Sequence, residues 1–162
     1  MKRHYTTAAA HLAALLANSP DVGIADASGL NVGAPGEMAS AGTPLEHQEQ
    51  VALFEWAALA EAQHPELAML FAVPNGGARH PAVAAQLKAE GVRAGVPDIC
   101  LPVARGRFHG LWIEMKRKPN RTSDAQRAWL DALRHYGHCA VVCWSAQEAQ
   151  QSIMAYLEQE GA

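Results

Sequence analysis

The stretch that most constrains the fold runs from Gly95 to Lys116 and reads GVPDICLPVARGRFHGLWIEMK. Two apolar runs, ICLPV and GLWIEM, flank a short polar segment with Gly106 at its middle, the pattern of two strands joined by a turn. A hairpin symmetric about Gly106 sets Ile99 against Ile113, Cys100 against Trp112 and Leu101 against Leu111. It also sets Pro102 against Gly110, Val103 against His109, and Asp98 against Glu114. Side chains alternate across a strand, so one face of this hairpin is almost wholly apolar, while Asp98, Glu114 and Lys116 share the other.

The hairpin sits in a chain of 162 residues, a length that suits one main domain with a single core. Apolar residues make up 49%, yet no apolar run approaches the roughly 20 residues needed to span a bilayer, so no membrane association is expected. Cys100, Cys139 and Cys143 are an odd count without CxxC spacing, which argues against a disulfide framework or a zinc ribbon and for a reducing cytoplasm. The first residues, MKRHYTTAAAHLAALLANSP, place bases before an alanine-rich run as a secretory signal does. His11 interrupts that run and its hydrophobicity is weak, so residues 1–17 read as an arm or short helix. Residues 18–44 are rich in Gly, Ala, Ser and Pro and read as a flexible linker, which leaves 45–162 as the main domain.

Within that domain the pattern predicts a long helix from about Thr43 to His64, with Leu45, Val51, Phe54, Leu59 and the alanines as its apolar stripe. Leu67–Val73 reads as a buried strand, ended by Pro74-Asn75-Gly76-Gly77, where Asn-Gly and Gly-Gly favour a tight turn. PAVAAQLKAEG reads as a short helix closed by Gly91. After the hairpin, TSDAQRAWLDALRHYG is a helix with Ser123 as N-cap and Gly137 as its stop, and HCAVVCW is a strand. SAQEAQQSIMAYLEQ is a final helix opened by a Ser145–Glu148 capping box, with Ile153, Met154 and Leu157 inward. These elements make an α/β fold, helices flanking one mixed sheet.

Why two carboxylates should face each other on that sheet is a question of energy. Directly opposed Cβ atoms lie about 4.5–5.5 Å apart. At that separation two negative charges repel by roughly 0.8 kcal/mol in water and roughly 3 kcal/mol at an effective dielectric near 20. A divalent cation removes the repulsion, and Mg²⁺ or Mn²⁺ is commonly held by one or two carboxylates while keeping sites for water and phosphate oxygens. Lys116 would then act on an attacking water or on charge developing at phosphorus. The competing reading is a surface cluster in which Lys116 pairs with Glu114 and Asp98. The net charge of −3 does not suggest a polyanion partner, but its distribution does. Arg105, Arg107, Lys116, Arg117, Lys118 and Arg121 crowd one stretch, with Arg79, Lys88 and Arg93 upstream, an arrangement that suits a phosphodiester backbone.

Pro97-Asp98 followed by Glu114-Met115-Lys116 resembles the PD-(D/E)xK nuclease superfamily. Glu46 and Gln50, Pro74-Asn75-Gly76-Gly77, Gly95-Val96-Pro97-Asp98, Ile113-Glu114-Met115-Lys116 and Gln126, in that order, resemble more narrowly the VRR-Nuc family, over about Leu45 to Leu157. The resemblance implies a restriction-endonuclease-like core with a central mixed four-stranded sheet, αβββαβ, and Mg²⁺- or Mn²⁺-dependent cleavage of DNA. It implies Asp98 and Glu114 as metal carboxylates, the Met115 carbonyl as a further ligand, Lys116 as the catalytic lysine, and Glu46 as a helix-borne acid reaching the metal. Glu49 is the rival for that last role. Gln126 matches a glutamine near the site, although Ser123-x-x-Gln126 is also a capping box. Stand-alone relatives imply a homodimer acting on branched DNA such as four-way junctions, in a bacterial or phage-infected cell. The alternatives are the same fold acting on flap or duplex DNA in packaging or restriction, and a DNA-binding module without catalysis.

Asn75, Gly76, Arg79, Arg93, Arg105, Arg107, Arg117, Lys118 and Arg121 are the candidate DNA contacts. His135, His138 and Cys139 straddle a helix end and a strand start and read as structural rather than as ligands. Cys139 and Cys143 read as core, Trp56, Trp129 and Trp144 as core or interface, and Trp112 as a side chain on the charged face with a chance of touching DNA or a partner.

Overall fold

The structure is a computed structural model, and it describes residues 44–74 and 81–161. The readings of the N-terminal arm, of nearly all the linker, and of Asn75, Gly76 and Arg79 lie outside the described residues. The elements run α1 (Pro44–Ala60), a 3₁₀ turn (Pro65–Met69), β1 (Phe71–Ala72), α2 (Pro81–Ala89), β2 (Ile99–Leu101), β3 (Leu111–Met115), α3 (Asp124–His135), β4 (Cys139–Cys143) and α4 (Ala146–Leu157). The four strands form one sheet in the order β1-β2-β3-β4, antiparallel across the first two pairings and parallel between β3 and β4. The fold is therefore the expected mixed α/β sheet flanked by helices.

The register is the one set by the alternation: Ile99 faces Ile113, Cys100 faces Trp112 and Leu101 faces Leu111. The ladder is shorter than expected. Pro102 has no amide to donate, and beyond it the chain leaves the sheet, closing instead through an Arg105–Phe108 bridge. The His109 amide donates to the Gly137 carbonyl rather than to Val103 (3.0 Å). At the other end Asp98 lies just outside β2, and its carboxylate accepts from the Met115 amide (2.8 Å).

Both faces of the sheet are covered. Odd-numbered residues, among them Ile99, Leu101, Leu111, Ile113, Met115, Val141 and Cys143, pack with Leu53 and Ala57 of α1 and with Ala149, Ile153 and Tyr156 of α4. On the even-numbered face Trp112, Ala140 and Val142 pack with Leu130 and Leu133 of α3. Trp112 is thus half-buried against α3. Cys139 and Cys143 are core residues, as expected. In α4 the inward residues are Ala149, Ile153, Ala155 and Tyr156, whereas Met154 and Leu157 are only half-buried.

Two further expectations fail for physical reasons. The stripe of α1 was ambiguous because VALFEWAALA is apolar almost all round; Leu53 and Ala57 are buried, while Val51 and Leu59 face solvent, Leu59 at 82% exposure. Leu67–Val73 is not a buried strand. Pro65 starts a 3₁₀ turn that buries Leu67, and only Phe71 and Ala72 extend, as an exposed edge strand. Both caps form where expected on α3 and at Gly91, whose positive φ lets the Val92 amide reach the Leu87 carbonyl (2.9 Å). At α4 the Ser145 hydroxyl accepts from the Glu148 amide, but the Glu148 carboxylate accepts from Trp144 instead of completing a box.

Candidate active site

β2 begins where β3 ends, because the two are antiparallel, so Asp98 and Glu114 meet at one end of the sheet. The crossover from β3 to the parallel β4 starts at that same end, which brings the first turn of α3, and Gln126 with it, over Glu114. The site is built from four segments: the start of β2, the end of β3, the N-terminus of α3 and the N-terminus of α1.

Glu114 is wholly buried, and its Oε1 accepts from the Lys116 ammonium (2.6 Å) and from the Gln126 amide (2.5 Å). Gln126 is both in the capping box and beside Glu114. Its Oε1 accepts from the Ser123 amide (2.8 Å), completing the capping box, while its Nε2 holds Glu114. Lys116 also donates to the Met115 carbonyl (3.2 Å), and its side chain is 11% exposed. Burial pushes the Glu114 carboxyl up to about 8; the Asp98 charge adds to the rise and Lys116 opposes it. Asp98 is raised as well, first by burial, against the pull of the Met115 amide and Lys116. The Asp98 charge thus favours the protonated form of Glu114.

Glu46 and Glu49, three residues apart on α1, point to different tasks. Glu49 Oε2 accepts from the Ala146 amide (2.6 Å) and so caps the start of α4. Glu46 Oε1 accepts from the Arg117 amide (3.3 Å) and the Asn120 side chain (3.1 Å), and its charge is felt at Asp98, whose pKa it helps to raise. Asn120 was missed by sequence reasoning: in Lys118-Pro119-Asn120 it reads as a turn residue and nothing more.

The basic residues divide. Arg117, Lys118 and Arg121 are exposed in the loop that leaves Lys116, beside the carboxylates. Arg105 and Arg107 are not brought to the site. They sit in the hairpin turn at the opposite end of the sheet, where Arg105 is paired with Glu66 and Arg107 lies over the Phe108 ring. The strand direction explains this, since a hairpin carries its turn away from its two ends. Arg93 is exposed in the loop before Gly95. His138 meets His109 edge-on, and no group of three or more potential ligands, these included, surrounds a metal position among the described residues.

A divalent cation fits the residues present. Glu114 Oε2 is buried with no hydrogen-bond partner among the described residues, in a site whose other donors are oxygens. An oxygen-only set with two crowded carboxylates suits Mg²⁺ or Mn²⁺ far better than a thiophilic metal.

No curated protein matches the chain. A solved structure described as a VRR_NUC domain protein superimposes with a TM-score of 0.62 and 27% sequence identity, covering 74% of this chain and 93% of its own. The family model described as the VRR-NUC domain matches residues 45–160. With its sheet, its Asp98–Glu114–Lys116 cluster and that match, the chain belongs to the VRR-NUC domain family, a PD-(D/E)xK-like nuclease group.

Proposed function

We propose that the protein is a divalent-metal-dependent endonuclease that hydrolyses phosphodiester bonds in branched DNA, four-way junctions in particular. The observation that carries the reading is the buried, unpartnered Oε2 of Glu114 beside Asp98. Asp98, Glu114 and the Met115 carbonyl would hold Mg²⁺ or Mn²⁺, with Glu46 at the rim. When bound, the cation would withdraw charge from the phosphate and lower the pKa of an attacking water.

The chain's own groups do the rest. The Lys116 ammonium has three donors, two of them engaged by Glu114 Oε1 and the Met115 carbonyl. The third can bind the water or a phosphate oxygen and neutralise charge as a P–O bond breaks. Gln126 fixes the Glu114 carboxylate, so little reorganisation is needed when DNA arrives. Arg117, Lys118 and Arg121 supply the electrostatic attraction to the backbone. A homodimer would place two such sites for paired cuts across a symmetric junction.

The test is a gel assay of the purified protein on a four-way junction and its matched duplex with Mg²⁺, Mn²⁺ or EDTA. The expected result is cleavage of the junction that EDTA abolishes and that Lys116→Ala strongly reduces. Cleavage that persists in EDTA, or equal cutting by Lys116→Ala, overturns the proposal; preference for duplex or flap DNA overturns only the choice of substrate.

A further inference from the structure

We propose that Asn120 is a positioning residue for Glu46, and that through it the basic loop is coupled to cation occupancy at Asp98 and Glu114. The inference rests on the metal reading above. Its basis is geometric. The Asn120 amide donates to the Arg117 carbonyl (2.8 Å), closing a tight turn directly after Lys116. That turn presents two donors to one oxygen: the Arg117 amide and Asn120 Nδ2 both bond Glu46 Oε1, across more than seventy residues of sequence. Glu46 Oε2 has no such bond among the described residues.

A glutamate in the first turn of a helix, half exposed, would otherwise sample several rotamers, and ordering a long side chain costs conformational entropy. The two donors meet that cost before a ligand arrives. They leave one oxygen of Glu46 uncommitted, near enough for its charge to reach Asp98. The same turn carries Arg117 and Lys118, with Arg121 just beyond, so its setting decides where these cations stand relative to the carboxylates. Asn120 therefore acts through Glu46 and through the turn, without touching DNA or metal itself.

The experiment is an Mg²⁺ titration of the full chain followed by NMR at the Met115 amide, the Arg117 amide and the Asn120 side-chain amide. Met115 bonds Asp98 and reports the carboxylate pair; the other two bond Glu46. All three signals are expected to shift with one common Kd. Asn120→Leu keeps nearly the same shape without the donor, and since Asn120 is exposed the variant should melt like the parent. Its Kd, read from Met115, should rise about three- to tenfold, and the Arg117 response should shrink. Shifts at Met115 with Arg117 and Asn120 silent, or an unchanged Kd in Asn120→Leu, overturn the coupling and leave the metal site standing. Silence at all three in the parent refutes the cation site and the coupling with it.

Discussion

Replacing Glu114 by glutamine should make the apo protein more stable at alkaline pH while destroying its site. Glu114 is buried without exposure and its carboxyl is pushed up to about 8 from an ordinary 4.5. Between those two values the folded chain keeps a proton that the unfolded chain has lost. Stability due to this group is therefore present in full below about pH 4.5 and falls as pH rises toward 8, by about 1.4 kcal/mol per pH unit. From pH 5.5 to 8 the loss comes to about 3 kcal/mol. Glu114→Gln removes the titration yet keeps the volume and an acceptor for Lys116 and Gln126, so the variant should lack this part of the slope. The assay is urea denaturation of both proteins at pH 5.5 and 8 in EDTA, with the difference of differences isolating Glu114 from the histidines. Saturating Mn²⁺ at pH 8 should then restore the parent by about 2–3 kcal/mol at a hundred times Kd and leave the variant unchanged. Parallel pH profiles for the two proteins would refute the claim that Glu114 is buried against its charge.

Lys116→Ala should lower junction cleavage by about 10²- to 10³-fold while leaving a cooperative unfolding transition, measured by single-turnover gels and denaturation on the same preparation. Gly95 has φ +86 and a Cβ there would lie 2.6 Å from the Ala125 backbone, so Gly95→Ala should cost at least about 1–2 kcal/mol in urea denaturation and displace the loop that carries Asp98. On α1, Leu53→Ala should cost about 2–5 kcal/mol and Leu59→Ala about nothing, the reverse of what the apolar stripe read from sequence implies.

What the sequence made legible was whatever short-range chemistry decides. The pairings 99/113, 100/112 and 101/111 follow from alternation about Gly106, and the helix starts from Ser123 and Ser145. The side chains gathered at the strand ends, Asp98, Glu114, Lys116 and Gln126, follow from that register and from the crossover. The rest depended on tertiary choices. A helix apolar on every side does not reveal which face it buries, so Leu53 was hidden among equals, although the expected stripe did include the alanines and Ala57 is buried. Residues three apart on one helix could not be told apart until Glu49 was seen capping α4 and Glu46 reaching the loop. Arg105 is close to Asp98 in sequence and at the opposite end of the sheet in space, because pattern gives a hairpin's register and not which end will host the chemistry. Asn120 carried only a turn signature, since its partner lies on a distant helix.

The central claim is that Asp98 and Glu114 together grip one divalent cation. Titration of Mn²⁺ into the apo protein by calorimetry, with the Asp98→Ala/Glu114→Ala double variant alongside and its fold checked by circular dichroism, measures this directly. Saturable binding in the parent and none in the folded double variant is the expected result. Equal binding by the two proteins, or no binding by the parent at millimolar Mn²⁺, would contradict the account.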